Sequence, residues 1–242
     1  MAEDNLNTKM LVVRKADARG YFKNEWLTSH HTFSFSDYYD PKYMHFSHLR
    51  VINEDYIAPD KGFATHSHQD MEIMTYVISG ELKHQDSMGN SSVIKSGEVQ
   101  FMRAGTGVTH SEFNPSKSTP THLLQIWIMP NKQGLAPTYA QNLYTLADKK
   151  DKLCLLASGD QVGDIFQIAQ AVKIYASVLD KNSPPLEYSV EATASIWIQV
   201  VSGELNVNDT KLGAGDGASI QNVTKVSFST LRDVEFLLFH FD

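Results

Sequence analysis

The sequence predicts an all-β protein of two similar barrels in tandem, joined by a short helical linker. Three observations predict it. Short apolar, β-branched runs recur between clusters of Gly, Asn, Asp, Ser and Pro, which is the spacing of barrels and sandwiches and not of alternating βαβ units. A weak internal repeat relates the two halves. Nine of the ten histidines lie at or before His122, so the halves differ in chemistry.

The apolar runs are Ile73–Ile78, Leu123–Met129, Lys173–Leu179, Ser195–Val201 and Val234–Phe241. Turn residues fall where hairpins need them: Met88-Gly89-Asn90 follows one strand, and Gly213-Ala214-Gly215-Asp216-Gly217 precedes another. Between the halves, Thr138–Lys152 carries Tyr139, Leu143 and Leu146 amid polar residues, with Leu153 just beyond. It reads as a short helix or an irregular linker, approached through Pro130 and Pro137. The expected division is a first barrel over 1–135, a linker over 136–150 and a second barrel over 151–242.

The repeat sets Tyr76-Val77-Ile78-Ser79-Gly80-Glu81-Leu82 beside Gln199-Val200-Val201-Ser202-Gly203-Glu204-Leu205. Each is an apolar strand closed by Ser-Gly-Glu-Leu. A Gly-containing element follows each, Ser96-Gly97-Glu98 and Ala214-Gly215-Asp216. Three features in the same order favour duplication of one β-domain over chance similarity of two turns.

Composition narrows the function. The 242 residues are 42% hydrophobic and 20% charged, ordinary for a globular chain able to build a core. The formal net charge of −7 argues against direct nucleic-acid binding, and the densest basic run, Lys149-Lys150 with Lys152, is interrupted by Asp148 and Asp151. An acidic surface leaves room for a protein partner. No apolar run approaches the 18 residues of a membrane helix, and Met1-Ala2-Glu3-Asp4 lacks the features of a signal peptide. The single cysteine, Cys154, fits a reducing compartment and lies in the apolar run Leu153–Leu156, so it reads as a small hydrophobe. The expected location is the cytoplasm.

The chemistry lies in two short pairs. On a strand, residues i and i+2 share a face, so the imidazoles of His66-Ser67-His68 can converge on one ion. His110-Ser111-Glu112 has the same spacing. Two such strands facing each other offer three imidazoles and a carboxylate, a set that suits a transition metal and leans toward iron or manganese. Four ligands leave an octahedral ion two open positions, as in a catalytic site. A lone H-x-H is more often two ordinary polar strand residues, and spacing alone does not decide between these readings. His84 has polar neighbours, Lys83, Gln85 and Asp86, and is expected on an exposed face. His30, His31, His45 and His48 lack ligand spacing, though one of them can line the pocket mouth, and His122 reads as structural. Phe33, Phe35, Tyr38, Tyr39, Tyr43 and Phe46 either wall a flat aromatic substrate or cover the open side of the barrel. Phe63 and Met74 are the pocket candidates nearest the histidines.

The segment Gly62–Glu72 resembles the first cupin motif, and Gly97–Asn114 the second, with Gly107-Val108-Thr109-His110 then Asn114 at its centre. More specifically, Phe33–Asp40, Leu49–Asp55, His84–Asn90, Ala104–Glu112, Gln125–Pro130, Leu212–Gly217 and Glu235–Phe239 together resemble the pirin family, in its bacterial quercetin 2,3-dioxygenase-like branch. The resemblance implies a bicupin with one mononuclear metal in the N-terminal barrel and none in the second. It implies His66, His68, His110 and Glu112 as ligands, with iron(II) the first choice and Zn, Ni, Mn, Co or Cu as alternatives. Ser67 stands where the family commonly has proline. Glu72 is the rival carboxylate, since the wider cupin motif places a ligand four residues after H-x-H. The implied reaction is oxidative cleavage of quercetin or a related flavonol, with Glu112 as catalytic base. The other readings are a redox-sensing module that regulates a protein partner and, more weakly, a metal-dependent isomerase or hydrolase.

Overall fold

The computed structural model describes residues 11–160, 162–163 and 165–242; Met1–Asp4 lies outside them. In chain order the first strands are β1 (Leu11–Arg14), β2 (Gly20–Lys23), β3 (Leu27–His31), β4 (Leu49–Ile57), β5 (Gly62–Ser79), β6 (Glu81–Asp86), β7 (Ser91–Lys95), β8 (Glu98–Phe113), β9 (Thr121–Ile128) and β10 (Thr138–Leu143). A one-turn helix, α1 (Leu146–Lys149), precedes β11 (Cys154–Ser158), β12 (Phe166–Gln167), β13 (Val172–Leu179), β14 (Leu186–Ser189) and β15 (Ser195–Val207). The chain closes with β16 (Thr210–Gly213), β17 (Gly217–Gln221), β18 (Lys225–Ser229) and β19 (Val234–Phe241).

Two sheets form the two barrels. The first runs β2-β3-β4-β9-β5-β8-β6-β7, with β10 also on β8; the second runs β1-β17-β15-β19-β13-β11-β12, with β14, β16 and β18 alongside. The pairing crosses the expected boundaries, first at β1. β1 is antiparallel to β17 in the second sheet, so the first described strand belongs to the second barrel and precedes the strands of the first. Asp216, in the predicted turn, fastens this crossing by accepting from the Ala16 amide at 2.8 Å and from Lys15 Nζ at 2.7 Å.

The repeat is structural. Gly80 and Gly203 both take positive φ, 76° and 80°. A Cβ there would meet the Pro120 carbonyl oxygen at 2.7 Å and the Asp233 carbonyl oxygen at 2.0 Å, so only glycine fits either turn. Thr121 and Thr230 donate to the carbonyls of Glu81 and Glu204, each at 2.6 Å.

The linker departs from expectation. Thr138–Leu143 is not helical but pairs residue by residue with Arg103–Glu98. The exposed main-chain groups of β8 outweigh local helix preference there. Helix survives only at Leu146–Lys149, where Thr145 and Asp148 form a capping box. The basic run is dispersed: buried Lys149 bonds Glu235 Oε1 at 2.6 Å and Tyr76 Oη at 2.9 Å, tying the barrels together, while Lys150 pairs with Asp180. Aromatic pairs complete the junction, Phe33 on Trp197 at 5.0 Å and Phe101 on Phe166 at 5.7 Å. Cys154 is half-buried against this core, and burial pushes its thiol up, away from nucleophilic use. No helix among the described residues is long and apolar enough to cross a membrane.

Candidate metal centre

Strand register assembles the histidines. β5 and β8 are antiparallel with His66 directly opposite His110, and His68 and Glu112 follow on the same faces two residues away. Register shifts flank the pair, between Phe63 and His66 and between His68 and Asp70, bending β5 around the site. Gly62 lets the strands close: a Cβ there would lie 2.1 Å from the Glu112 carbonyl oxygen.

The three imidazoles meet. Ring centroids are 4.8 Å apart for His66–His68, 4.5 Å for His66–His110 and 4.8 Å for His68–His110. His66 Nδ1 lies 2.8 Å from the Ala64 carbonyl, which can only accept, so this nitrogen donates and Nε2 is the one placed to bind a metal. That Nε2 stands 3.0 Å from His110 Nε2. Two nitrogens bound about 2.1 Å from one ion at a right angle stand about 3 Å apart, so this spacing fits a shared metal. Burial first, then the neighbouring imidazoles, pushes His68 down to about 4 and His110 down to about 3. Both rings are therefore neutral at pH 7, the state a metal ligand needs.

Glu112 is placed differently. Its buried carboxylate accepts from Gln125 Nε2 at 2.8 and 2.7 Å and groups with His110 and His84, but not with His66 and His68 as well. Burial raises its pKa, against the donors Gln125 and Thr75 and the nearby histidines.

His84 corrects the sequence reading. It is not on an exposed face but fully buried, stacked at 4.9 Å on Tyr139 of β10, the segment expected to be helical. On β6, His84 lies opposite Glu112 and Asp86 opposite His110. Asp86 is ionised: burial opposes this, but His84 and then the Asn90 and Met88 donors outweigh it. His84 Nε2 therefore donates to Asp86 Oδ2 at 3.0 Å, leaving its Nδ1 as acceptor, 3.4 Å from both His110 Nδ1 and Gln100 Nε2. This chain puts the His110 proton on Nδ1 and its lone pair on Nε2, facing His66. The signal was present as a third i, i+2 pair, His84-Gln85-Asp86.

Glu72 is engaged elsewhere. Its buried carboxylate accepts from Arg103 Nε at 2.9 Å and from the Ala169 amide at 2.8 Å, joining the first barrel to the second. Met74 is another correction: it packs in the core between the barrels and does not line the cavity. The histidines open instead on a cavity of about 550 Å³ walled by Phe35, Tyr38, Phe63 and Trp127. Trp127 sets its edge against His68 at 4.8 Å. His31 also lines it, with Nδ1 2.8 Å from Asn53 Oδ1, whereas His122 lies 2.8 Å from Glu54.

A family described as Pirin matches residues 12–128, and one described as Quercetinase C-terminal cupin domain matches 155–241. The chain belongs to the pirin family. This pirin is 44% identical over 230 residues to the quercetin 2,3-dioxygenase of Escherichia coli K12, covering 95% of this chain and 98% of that one. It is 37% identical over 223 residues to a pirin-like protein of Caulobacter vibrioides, covering 92% and 95%. The solved structure of the E. coli bacterial pirin YhhW in complex with nickel(II) superposes with a TM-score of 0.91 at 42% identity, covering 96% and 98%.

Proposed function

We propose that this pirin is a metal-dependent dioxygenase that cleaves quercetin or a related flavonol, releasing carbon monoxide. One observation carries the reading: three imidazoles converge, at metal-ligand spacing, on the wall of a largely aromatic cavity. The similarity to a protein named quercetin 2,3-dioxygenase and to a pirin solved with nickel(II) supports it. His66, His68 and His110 would hold one divalent metal, with Glu112 as the fourth group. The metal, iron(II) as first choice, supplies a Lewis-acid centre at which an electron-rich ring and dioxygen are brought together.

The remaining work falls to the chain. Phe35 and Trp127, packed edge to face at 5.5 Å, form one apolar wall on which a flat ring can lie out of water. Glu112, its affinity for a proton raised by burial, takes the proton from the substrate hydroxyl. Gln125 donates to both of its oxygens and fixes their direction. Asp86 and His84 hold the His110 tautomer, as hydrogen-bond partners behind metal ligands do.

The test is oxygen uptake and carbon monoxide release by iron-loaded protein given flavonols, beside Glu112→Gln. Turnover in the wild type, reduced 10²-fold or more in the variant, is expected for loss of a general base. No oxygen uptake with any flavonol contradicts the proposal.

A further inference from the structure

One buried acid in the same cavity has no part in the chemistry above. Asp55, on β4, is 3% exposed and lines the cavity. Its Oδ1 is buried without a hydrogen-bond partner. A buried acceptor left without a donor is destabilising and calls for an explanation. Asp55 is also absent from both groups of metal-capable side chains. In the sheet, β9 separates β4 from the histidine-bearing β5.

The surroundings are those of a polar anchor. Ser29 lies directly across the strand pair from Asp55, and the bonded pair His31 and Asn53 follows two residues along on the same face. The wall opposite in character is aromatic, with Phe35, Phe63 and Trp127 in the same cavity. A ligand that fills this space must therefore be mostly flat and apolar, yet bring a donor to one fixed point. A ring hydroxyl does both.

We propose that Asp55 is a positioning and specificity residue, whose carboxyl group hydrogen-bonds a second ring hydroxyl of a polyhydroxylated aromatic substrate, distinct from the hydroxyl presented to the histidines. The inference rests on the dioxygenase reading for the class of ligand. Burial foremost, eased by Ser29 and reinforced by Glu112 and Glu54, pushes the Asp55 carboxyl up to about 7. Around neutral pH it can thus either donate to or accept from a hydroxyl.

The experiment is anaerobic binding to the iron-loaded protein, followed by tryptophan fluorescence, of quercetin and of 3-hydroxyflavone, which keeps only the hydroxyl beside the carbonyl. Both ligands are measured on the wild type, Asp55→Ala and the isosteric Asp55→Asn, with metal content checked in each. The wild type is expected to prefer quercetin about ten-fold, the worth of one well-made hydrogen bond. That preference collapses below about two-fold in Asp55→Ala and is partly kept in Asp55→Asn, at wild-type metal content. In turnover, Asp55→Asn raises KM for quercetin more than it lowers kcat. Equal weakening of both ligands in Asp55→Ala, or an undiminished preference, overturns the inference and leaves the dioxygenase reading standing. Binding of neither ligand by the wild type overturns both.

Discussion

The two barrels share a turn, a topology and a threonine tether, yet their interiors differ. In the first, buried polar residues cross the sheet one per strand: His31 faces Asn53, Asn53 faces Gln125, Gln125 faces Thr75, and Thr75 faces Gln100. Beside this row the histidines border an open cavity. The second also buries polar side chains, Gln199 and Ser177 among them, but Ile196, Ile198, Leu205, Leu212, Phe228 and Phe236 fill its centre. Each such side chain contributes about 1.5–3 kcal/mol on burial. The first barrel spends part of that stability on chemistry. The second is packed as a support, and it reaches back through Lys149–Glu235 and through the Ala169 and Gln170 amides on Glu72.

If the division is real, substitutions separate cleanly. The largest effect is on metal content: His66→Ala or His110→Ala should reduce it from near one per chain to under about a tenth, since one lost ligand breaks the set. The stability of the second barrel should barely move, as read by heat denaturation. Phe228→Ala should do the reverse, costing about 3–5 kcal/mol in denaturant titration, with metal content unchanged.

The junction comes next. Lys149→Met leaves Glu235 and Tyr76 without their buried cation, and about 3 kcal/mol is expected for breaking such a pair. Calorimetry should then show two transitions where the wild type shows one. His84→Leu should weaken metal affinity 10- to 100-fold without abolishing it, because it touches His110 and not the ion. A competition titration with a chromophoric chelator measures this.

The smallest effect is in pH. His68 and His110 titrate lower in the fold than their ordinary 6.5, at about 4 and about 3. The unfolded chain therefore binds more protons below pH 6.5, and the metal-free protein loses stability as pH falls from 6.5 toward 4. Asp55, raised to about 7, works in the opposite direction, its contribution being lost as pH rises from its ordinary 3.8 through 7. His68→Gln should flatten the acid limb of the stability profile measured in denaturant.

Much of this was legible in the sequence because it is periodic. The i, i+2 spacing of His66/His68 and His110/Glu112 states which side chains share a face, and the Ser-Gly-Glu-Leu repeat carries its own glycine constraint. What the sequence does not display is register. Nothing local says that Asp86 lies opposite His110, or that Tyr139, more than 50 residues on, covers His84. The polar neighbours Lys83 and Gln85 therefore suggested an exposed strand. The fate of Glu72 was hidden for the same reason, since the amides it accepts from belong to the other half of the chain. Thr138–Leu143 became a strand because the edge it pairs with lies 35 to 45 residues upstream.

The central claim, one metal held by the first barrel and none by the second, is tested most directly by mass-spectrometric metal analysis of untagged protein. Wild type, His66→Ala, Glu112→Ala, Glu72→Ala and His240→Ala are compared. The account predicts close to one metal ion per chain in the wild type, Glu72→Ala and His240→Ala, almost none in His66→Ala and a reduced content in Glu112→Ala. A wild type without metal, or metal kept in His66→Ala and lost in Glu72→Ala or His240→Ala, would contradict it.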